Sequence, residues 1–223
     1  ALGDSFTFGD EVNDDETWPA YLERMLDRTV LNGGVFGYGF DQIALRAERI
    51  LDEIHPALVI VSISPDDIPR CEFSYRYAWK PYFDLDGKGL LLRNVPVPEP
   101  GTLAPSEGLF LLLVRSSHLV SFLVQRIDPD RWAIPETIHV HDDGLEVSRR
   151  LVDRLARLGR KQGVPVLFVT QWVPGSDPGP TRTLLARARA AGIGALDLEP
   201  PLQRLLPEAP DQAERWGHLF NVE

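Results

Sequence analysis

The most constraining feature of the sequence is a run, ALVIVSI, at residues 57–63 that is apolar except for Ser62. It follows Pro56, which ends the helical pattern before it. A continuous apolar run of this kind predicts a strand that is covered on both faces, as in a parallel sheet. We therefore expect an α/β fold with residues 57–63 as a central strand.

Short apolar runs alternate with amphipathic helical patterns along the rest of the chain. Further strands are predicted at Leu2 and at residues 30–31, 164–170 and 195–198. Helices are predicted after Thr17 and Asp41 as N-caps, from near Asp143, and at residues 181–191 and 201–206. This alternation is typical of a three-layer α/β/α sandwich with a flavodoxin-like parallel sheet.

The alternation is interrupted by an aromatic-rich insertion at residues 65–105. A hairpin is predicted within it, with the turn DLDG at residues 84–87. An amphipathic helix is expected at residues 107–126, followed by a loop that holds His139 and His141. The aromatic residues of the insertion suit either a platform for a sugar or acyl group or a satellite core under a long loop.

Length and composition restrict the class of protein. The 223 residues, 43% of them hydrophobic, predict one domain over residues 1–223 with a substantial core. A net charge of −10 argues against a nucleic-acid partner, and no run is long enough for a membrane span. The chain lacks an initiator Met, and we expect that it is trimmed at both ends, so the localisation stays open.

Three glycine- or aspartate-containing loops follow predicted strands. The tripeptide Gly-Asp-Ser occupies residues 3–5, a glycine-rich loop covers residues 32–39, and Ser-Pro-Asp-Asp occupies residues 64–67. The carboxyl ends of parallel strands are where such sheets bind ligands, so a serine there is a candidate nucleophile. With these blocks and His218 near its end, the chain resembles the SGNH (GDSL-type) hydrolase family.

The resemblance implies a serine esterase that needs no cofactor. Ser5 would be the nucleophile and His218 the general base. The N–H groups of Ser5 and Gly37 and the side chain of Asp66 would take the places of the family's oxyanion donors. The implied substrate is a carboxylic ester, with an acetyl ester of a carbohydrate as the expected class.

Two positions depart from the family pattern and leave an alternative open. Asp66 stands where the family usually has Asn, and an ionised carboxylate cannot donate a hydrogen bond. We expect burial to raise the pKa of Asp66 so that it donates when protonated. The family's acidic residue two or three positions before the histidine is missing before His218. The alternative is a catalytically weak relative that binds or transfers acyl groups on envelope polysaccharide.

Two other ligand classes are weighed and not assigned. His139 and His141 are two residues apart, a spacing that metal ligands can have. A polar loop beside a helix start is the favoured interpretation, so no metal is predicted. The glycines at residues 33–39 lack the spacing of a dinucleotide-binding fingerprint. The predicted partner is therefore a small-molecule or carbohydrate ester.

Overall fold

The computed structural model describes residues 1–87, 89–99, 117–127 and 137–205. Its helices are α1 (Ser5–Phe8), α2 (Trp18–Leu26), α3 (Phe40–Ile54), α4 (His118–Ile127), α5 (Gly144–Gln162), α6 (Gly179–Ala190) and α7 (Glu199–Leu205). Its strands are β1 (Val59–Ile63), β2 (Phe73–Arg76), β3 (Ala78–Trp79), β4 (Tyr82–Leu85), β5 (Leu90–Arg93), β6 (Thr137–His139), β7 (Val166–Thr170) and β8 (Gly194–Asp197).

A parallel sheet in the order β1–β7–β8 lies at the centre, which confirms the predicted α/β character. The first residues of the chain run beside β1, where Leu2 forms a parallel bridge with Val61. On their other side, Gly33 donates its N–H to the carbonyl of Ala1 at 2.8 Å, and Val35 donates to that of Gly3 at 3.0 Å. The predicted strands at Leu2 and at residues 30–31 are thus extended segments beside the sheet rather than regular strands.

Helix α5 shows why the long helices form where the sequence predicts them. Val147, Leu151 and Leu155 are fully buried at intervals of four residues, so one face of the helix packs on the core. The helix ends at Gly163, whose φ of +67° suits glycine and whose N–H donates to the carbonyl of Arg160.

The two predicted N-caps have different outcomes. Thr17 caps α2, because its hydroxyl accepts a hydrogen bond from the N–H of Ala20 at 3.4 Å. The prediction for Asp41 is wrong: the N-cap of α3 is Gly39, and Asp41 lies inside the first turn. Its carboxylate is fully buried and accepts a hydrogen bond from Lys80, a donor that local sequence could not reveal.

The core occupies one face of the sheet. Val61 and Ile63 of β1 and Phe168 of β7 point towards α3 and α5, and the Phe168 ring meets that of Phe40 edge-on at 5.6 Å. Alternate residues of the same strands point to the other face, because side chains alternate along a strand. On that face Ile60 and other strand residues line a cavity.

Two small antiparallel sheets accompany the insertion. The predicted hairpin is confirmed as β4 paired with β5. Its predicted turn at residues 84–87 is misplaced, because Asp84 and Leu85 pair with Leu91 and Leu90 as strand residues. The other sheet has the order β3–β2–β6, and there Phe73 pairs with His139. The prediction that His139 lies in a loop is therefore wrong, because its backbone pairs with a strand about 65 residues earlier.

Two further predictions concern a helix at residues 107–126 and the absence of a membrane span, and the structure describes only part of the chain that bears on them. The expected helix at residues 107–126 is seen as α4, and residues 107–116 lie outside the described part of the chain. None of the described helices combines the length and the hydrophobicity that crossing a bilayer requires.

Candidate active site

Ser5 begins a helix directly after the first extended segment. Asp4 caps this helix, and its carboxylate accepts a hydrogen bond from the N–H of Phe6 at 3.1 Å. A Cβ at Gly3 would lie 2.1 Å from the hydroxyl of Thr7, so the turn leaves room for no side chain there. The sharp turn places Ser5 half-buried at the carboxyl end of the segment.

The glycine-rich loop packs directly on this turn. A Cβ at Gly34 would lie 2.2 Å from the backbone nitrogen of Phe8, so the loop approaches α1 as closely as only glycine allows. Gly37 has a φ of +74°, another conformation that favours glycine. Its carbonyl accepts a hydrogen bond from Nη1 of Arg76 at 2.8 Å, which fixes this part of the loop against β2.

The third loop carries two aspartates in different surroundings. The side chain of Asp66 is 67% exposed and lies 3.8 Å from Nη2 of Arg70. The expected burial of Asp66 is therefore wrong. Asp67 is the buried residue of the pair, because its carboxylate turns inward and accepts from the N–H of Ser64 at 2.8 Å.

A buried ionic cluster joins all three loops. Nη1 of Arg70 donates to Asp67 at 2.7 Å, to the Tyr38 carbonyl at 3.1 Å and to Asp4 at 3.3 Å. The hydroxyl of Ser64 also donates to Asp4, at 3.1 Å. Arg70 therefore connects the turn before Ser5, the loop of Gly37 and the turn of Asp66. We call Asp4, Ser64, Asp67 and Arg70 the Arg70 cluster.

The charges of this cluster are not balanced, because two fully buried carboxylates face one guanidinium. Burial raises the pKa of Asp67 well above its ordinary value, and the nearby charge of Asp4 raises it further. Arg70 acts in the opposite direction, since a positive charge favours the ionised carboxylate. The cluster thus depends on Arg70 to keep both carboxylates in the interior.

A second buried ion pair fastens the insertion to the domain. Nζ of Lys80 lies 2.5 Å from Asp41 in α3 and also donates to the carbonyls of Arg70 and Phe73, each at 3.1 Å. Burial raises the pKa of Asp41, and Lys80 opposes that shift. The carbonyl of Lys80 accepts from the side chain of Asn94 at 2.7 Å. The insertion is therefore held at a fixed place beside the Gly37 loop.

Aromatic side chains of the insertion cluster at the turn between β2 and β3. The rings of Tyr75 and Trp79 meet edge-on with centroids 5.4 Å apart. The guanidinium of Arg76 lies over the ring of Tyr77, 5.2 Å from its centroid. Tyr77 itself is 58% exposed and has a φ of +58°, which is uncommon for an aromatic residue.

The cavity on the second face of the sheet has a volume of about 570 Å³. Its walls come from the sheet and from the segments around α1, α2 and α7, including Phe6, Trp18, Leu22, Trp172 and Leu202. Aromatic residues of the insertion do not line it. The aromatic platform predicted for the insertion is therefore not part of this cavity.

One described group could hold a cation. Nε2 of His139 lies 3.1 Å from Glu72 and 3.4 Å from Asp142, and all three side chains reach the surface. Glu72 also accepts the N–H of Gly144 at 2.9 Å. His141 does not join them, because its Nδ1 accepts the N–H of Asp143 instead. The predicted pair of histidine ligands is thus not brought together.

Of the predicted site residues, the structure connects the loops of Ser5, Gly37 and Asp66, and His218 lies outside the described residues. Sequence reasoning missed Arg70 and Lys80. The three-residue spacing of Asp67 and Arg70 hinted at a local ion pair, whereas the contacts to Asp4 and Tyr38 cross 66 and 32 residues. No known family matches this chain, and a search of curated proteins finds no relative.

Proposed function

We propose that the protein is a serine esterase of the SGNH type that hydrolyses a carboxylic ester, with an acetylated carbohydrate as the substrate class. The observation that carries this proposal is the Arg70 cluster. It fastens the turn before Ser5, the Gly37 loop and the Asp66 turn to one another at the edge where parallel strands end. Ligands of open parallel sheets bind at this edge.

The order of the extended segments supports the same proposal. Residues 31–35 bond to residues 1–3, which bond to β1, and β7 and β8 follow. In chain order this is 2-1-3-4-5, the flavodoxin-like arrangement that the resemblance implies. We infer that the fold is the three-layer sandwich of that class.

In this mechanism the oxygen of Ser5 attacks the ester carbonyl, and its proton passes to His218. The N–H groups of Ser5 and Gly37 stabilise the oxyanion that forms. The alcohol leaves with the proton from His218. Water, deprotonated by the same histidine, then releases the acid and restores Ser5. The hydrogen bond from Arg76 to the Gly37 carbonyl restrains the residue whose N–H is the proposed donor during both steps.

A fluorophosphonate probe tests the proposal, because it reacts with activated serines. We expect one label, located on Ser5 by mass spectrometry, and no label in Ser5→Ala. Ser176→Ala is the matched control, since Ser176 is also a half-buried loop serine and only donates to the carbonyl of Val173. Labelling that persists in Ser5→Ala, or an absence of labelling in the parent protein, would contradict the proposal.

Asp66 favours a second candidate, a weak relative that binds or transfers acyl groups on polysaccharide. Its carboxylate is exposed. The resemblance assigns it to the position of an oxyanion donor, where an ionised group would repel the oxyanion. Asp66→Asn separates the two candidates. If Asp66 limits an esterase, the variant gains kcat for p-nitrophenyl acetate, by up to about 10²-fold for one donor. An unchanged rate in Asp66→Asn, together with acetyl transfer to an added oligosaccharide, would favour the second candidate.

A further inference from the structure

The side chain of Arg76 lies beside the loop that carries the proposed oxyanion donor. Its Nη1 donates to the carbonyl of Gly37 at 2.8 Å, and a Cβ at Gly37 would lie 3.6 Å from the same nitrogen. The β2–β6 pairing holds the strand from which it extends, with Arg76 opposite Thr137. The guanidinium is thus fixed at the edge of the proposed site.

Arg76 lacks the acidic partner that several other arginines of the described chain have. Arg70, Arg154 and Arg187 each pair with a carboxylate. No carboxylate within the described ranges pairs with Arg76, whose guanidinium instead contacts the Gly37 carbonyl and the Tyr77 ring. In a chain of net charge −10, a half-buried guanidinium without an acidic partner is a notable local excess of positive charge.

The aromatic residues around Arg76 suggest that the negatively charged ligand of Arg76 is a sugar. Tyr77 is exposed and held in a left-handed conformation that presents its ring beneath the guanidinium. Tyr75 and Trp79 form an edge-to-face pair on the same hairpin. Aromatic rings offer an apolar face and polar edges, which suits the alternating faces of a pyranose.

We propose that Arg76 recognises the carboxylate of an acidic sugar, so that the substrate is an acetyl ester of a uronate-containing oligosaccharide. Nη1 is engaged with Gly37, and Nε and Nη2 have the fork geometry that a carboxylate accepts. This inference rests on the ester hydrolysis proposed above and adds the charge of the substrate to it.

The test compares two acetylated oligosaccharides, one of galacturonate units and one of neutral xylose units. The parent protein should show the higher kcat/KM on the uronate. In Arg76→Gln the ratio of the two kcat/KM values should fall by about 10-fold to 100-fold, the effect of losing hydrogen bonds to a charged group. Arg76→Lys should retain part of the ratio, because the charge remains. A ratio is measured because loosening of the Gly37 loop lowers both rates.

Arg93→Gln is the matched control, since Arg93 is an exposed hairpin arginine paired with Asp84 at 2.8 Å. It should leave the ratio unchanged. A parent protein that is labelled at Ser5 but shows equal kcat/KM on both substrates overturns this inference and leaves ester hydrolysis standing.

A direct binding measurement covers the case in which the protein does not hydrolyse esters. Calorimetry with the Ser5→Ala variant should detect binding of unacetylated oligogalacturonate. Adding Arg76→Gln to this variant should weaken the binding by about 10-fold or more. Such binding without Ser5 labelling would support the acidic-sugar site and reject the esterase. Absence of binding, or equal binding in both variants, would overturn the role of Arg76.

Discussion

Removing the positive charge of Arg70 from the Arg70 cluster should lower the free energy of unfolding. In Arg70→Met the carboxylates of Asp4 and Asp67 remain buried without a positive partner, while the methionine fills much of the same space. The side chain of Arg70 is 13% exposed and those of both aspartates are 0% exposed. Breaking a buried ion pair by removing one partner costs about 3–5 kcal/mol, so we expect a loss of that size in the free energy of unfolding.

The loss should depend on pH in a defined direction. Burial raises the pKa of Asp67, so the folded protein retains a proton at pH values where the unfolded chain has lost it. Stability therefore falls as the pH rises from about 4 through the folded pKa. Loss of the Arg70 charge raises that pKa further. The difference between Arg70→Met and the parent should be largest near neutral and alkaline pH and should shrink in acid.

Urea unfolding followed by tryptophan fluorescence, at about pH 5 and about pH 8, measures this difference. Arg182→Met is the control, because Arg182 pairs with Glu199 at 3.0 Å but is 60% exposed. A surface pair is worth about 0–1 kcal/mol. Asp67→Asn should reduce the pH dependence by leaving Asp4 alone with Arg70. Equal losses in Arg70→Met and Arg182→Met, or a loss that does not change with pH, would refute the reasoning.

Three further expectations follow from named contacts. Lys80→Met leaves the carboxylate of Asp41 buried and should lower the free energy of unfolding by about 3–5 kcal/mol in urea titrations. Gly34→Ala places a Cβ 2.2 Å from a backbone nitrogen of α1, so it should displace Ser5 and slow fluorophosphonate labelling, by about 10²-fold for a shift near 1 Å. Cys71 is fully buried and burial raises the pKa of its thiol, so it should react with a disulfide reagent only after unfolding.

The Lys80 and Gly34 expectations each have a control variant within the chain. Lys161→Met removes an exposed lysine at the end of α5 and should change stability little. Gly89→Ala adds a Cβ that meets no atom within 4 Å and should leave labelling intact. A variant that changes stability or labelling no more than its control would contradict the role given to the contact it removes or disturbs. Rapid reaction of Cys71 in the folded protein would contradict the burial of its thiol.

The parts of the fold that the sequence predicted well are those with a local physical cause. The part of the apolar run that forms β1, Val59–Ile63, is buried or half-buried because a central parallel strand needs apolar residues on both faces. Helix α5 follows from its repeating apolar positions and from Gly163 at its end. The β4–β5 hairpin follows from two apolar segments separated by turn residues, although the turn begins after Leu85, two residues later than predicted. Each of these signals lies within about 20 neighbouring residues.

The contacts that arrange the site have no such local signal. Asp41 has the sequence position of a helix cap, but its partner Lys80 lies 39 residues further along the chain. Arg70 reaches Asp4 across 66 residues. In both cases the pairing depends on how separate loops meet after folding. A single sequence therefore indicates which residues carry charge but not which of them are buried together.

Asp66 and Asp67 show how the burial of one charged residue and not the other affects the chemistry proposed for the site. The resemblance assigns the donor position to Asp66 and leaves Asp67 without a role, although the two residues are identical and adjacent. The structure gives Asp67 the bonds to Ser64 and Arg70, and these bonds fix the turn. Asp66 is consequently turned outward, 67% exposed, with Arg70 at 3.8 Å. Because one guanidinium contacts both aspartates, a change in the protonation of Asp67 alters the field at Asp66, and the pH dependence of any reaction at this edge should reflect the buried Asp67 although only Asp66 is exposed.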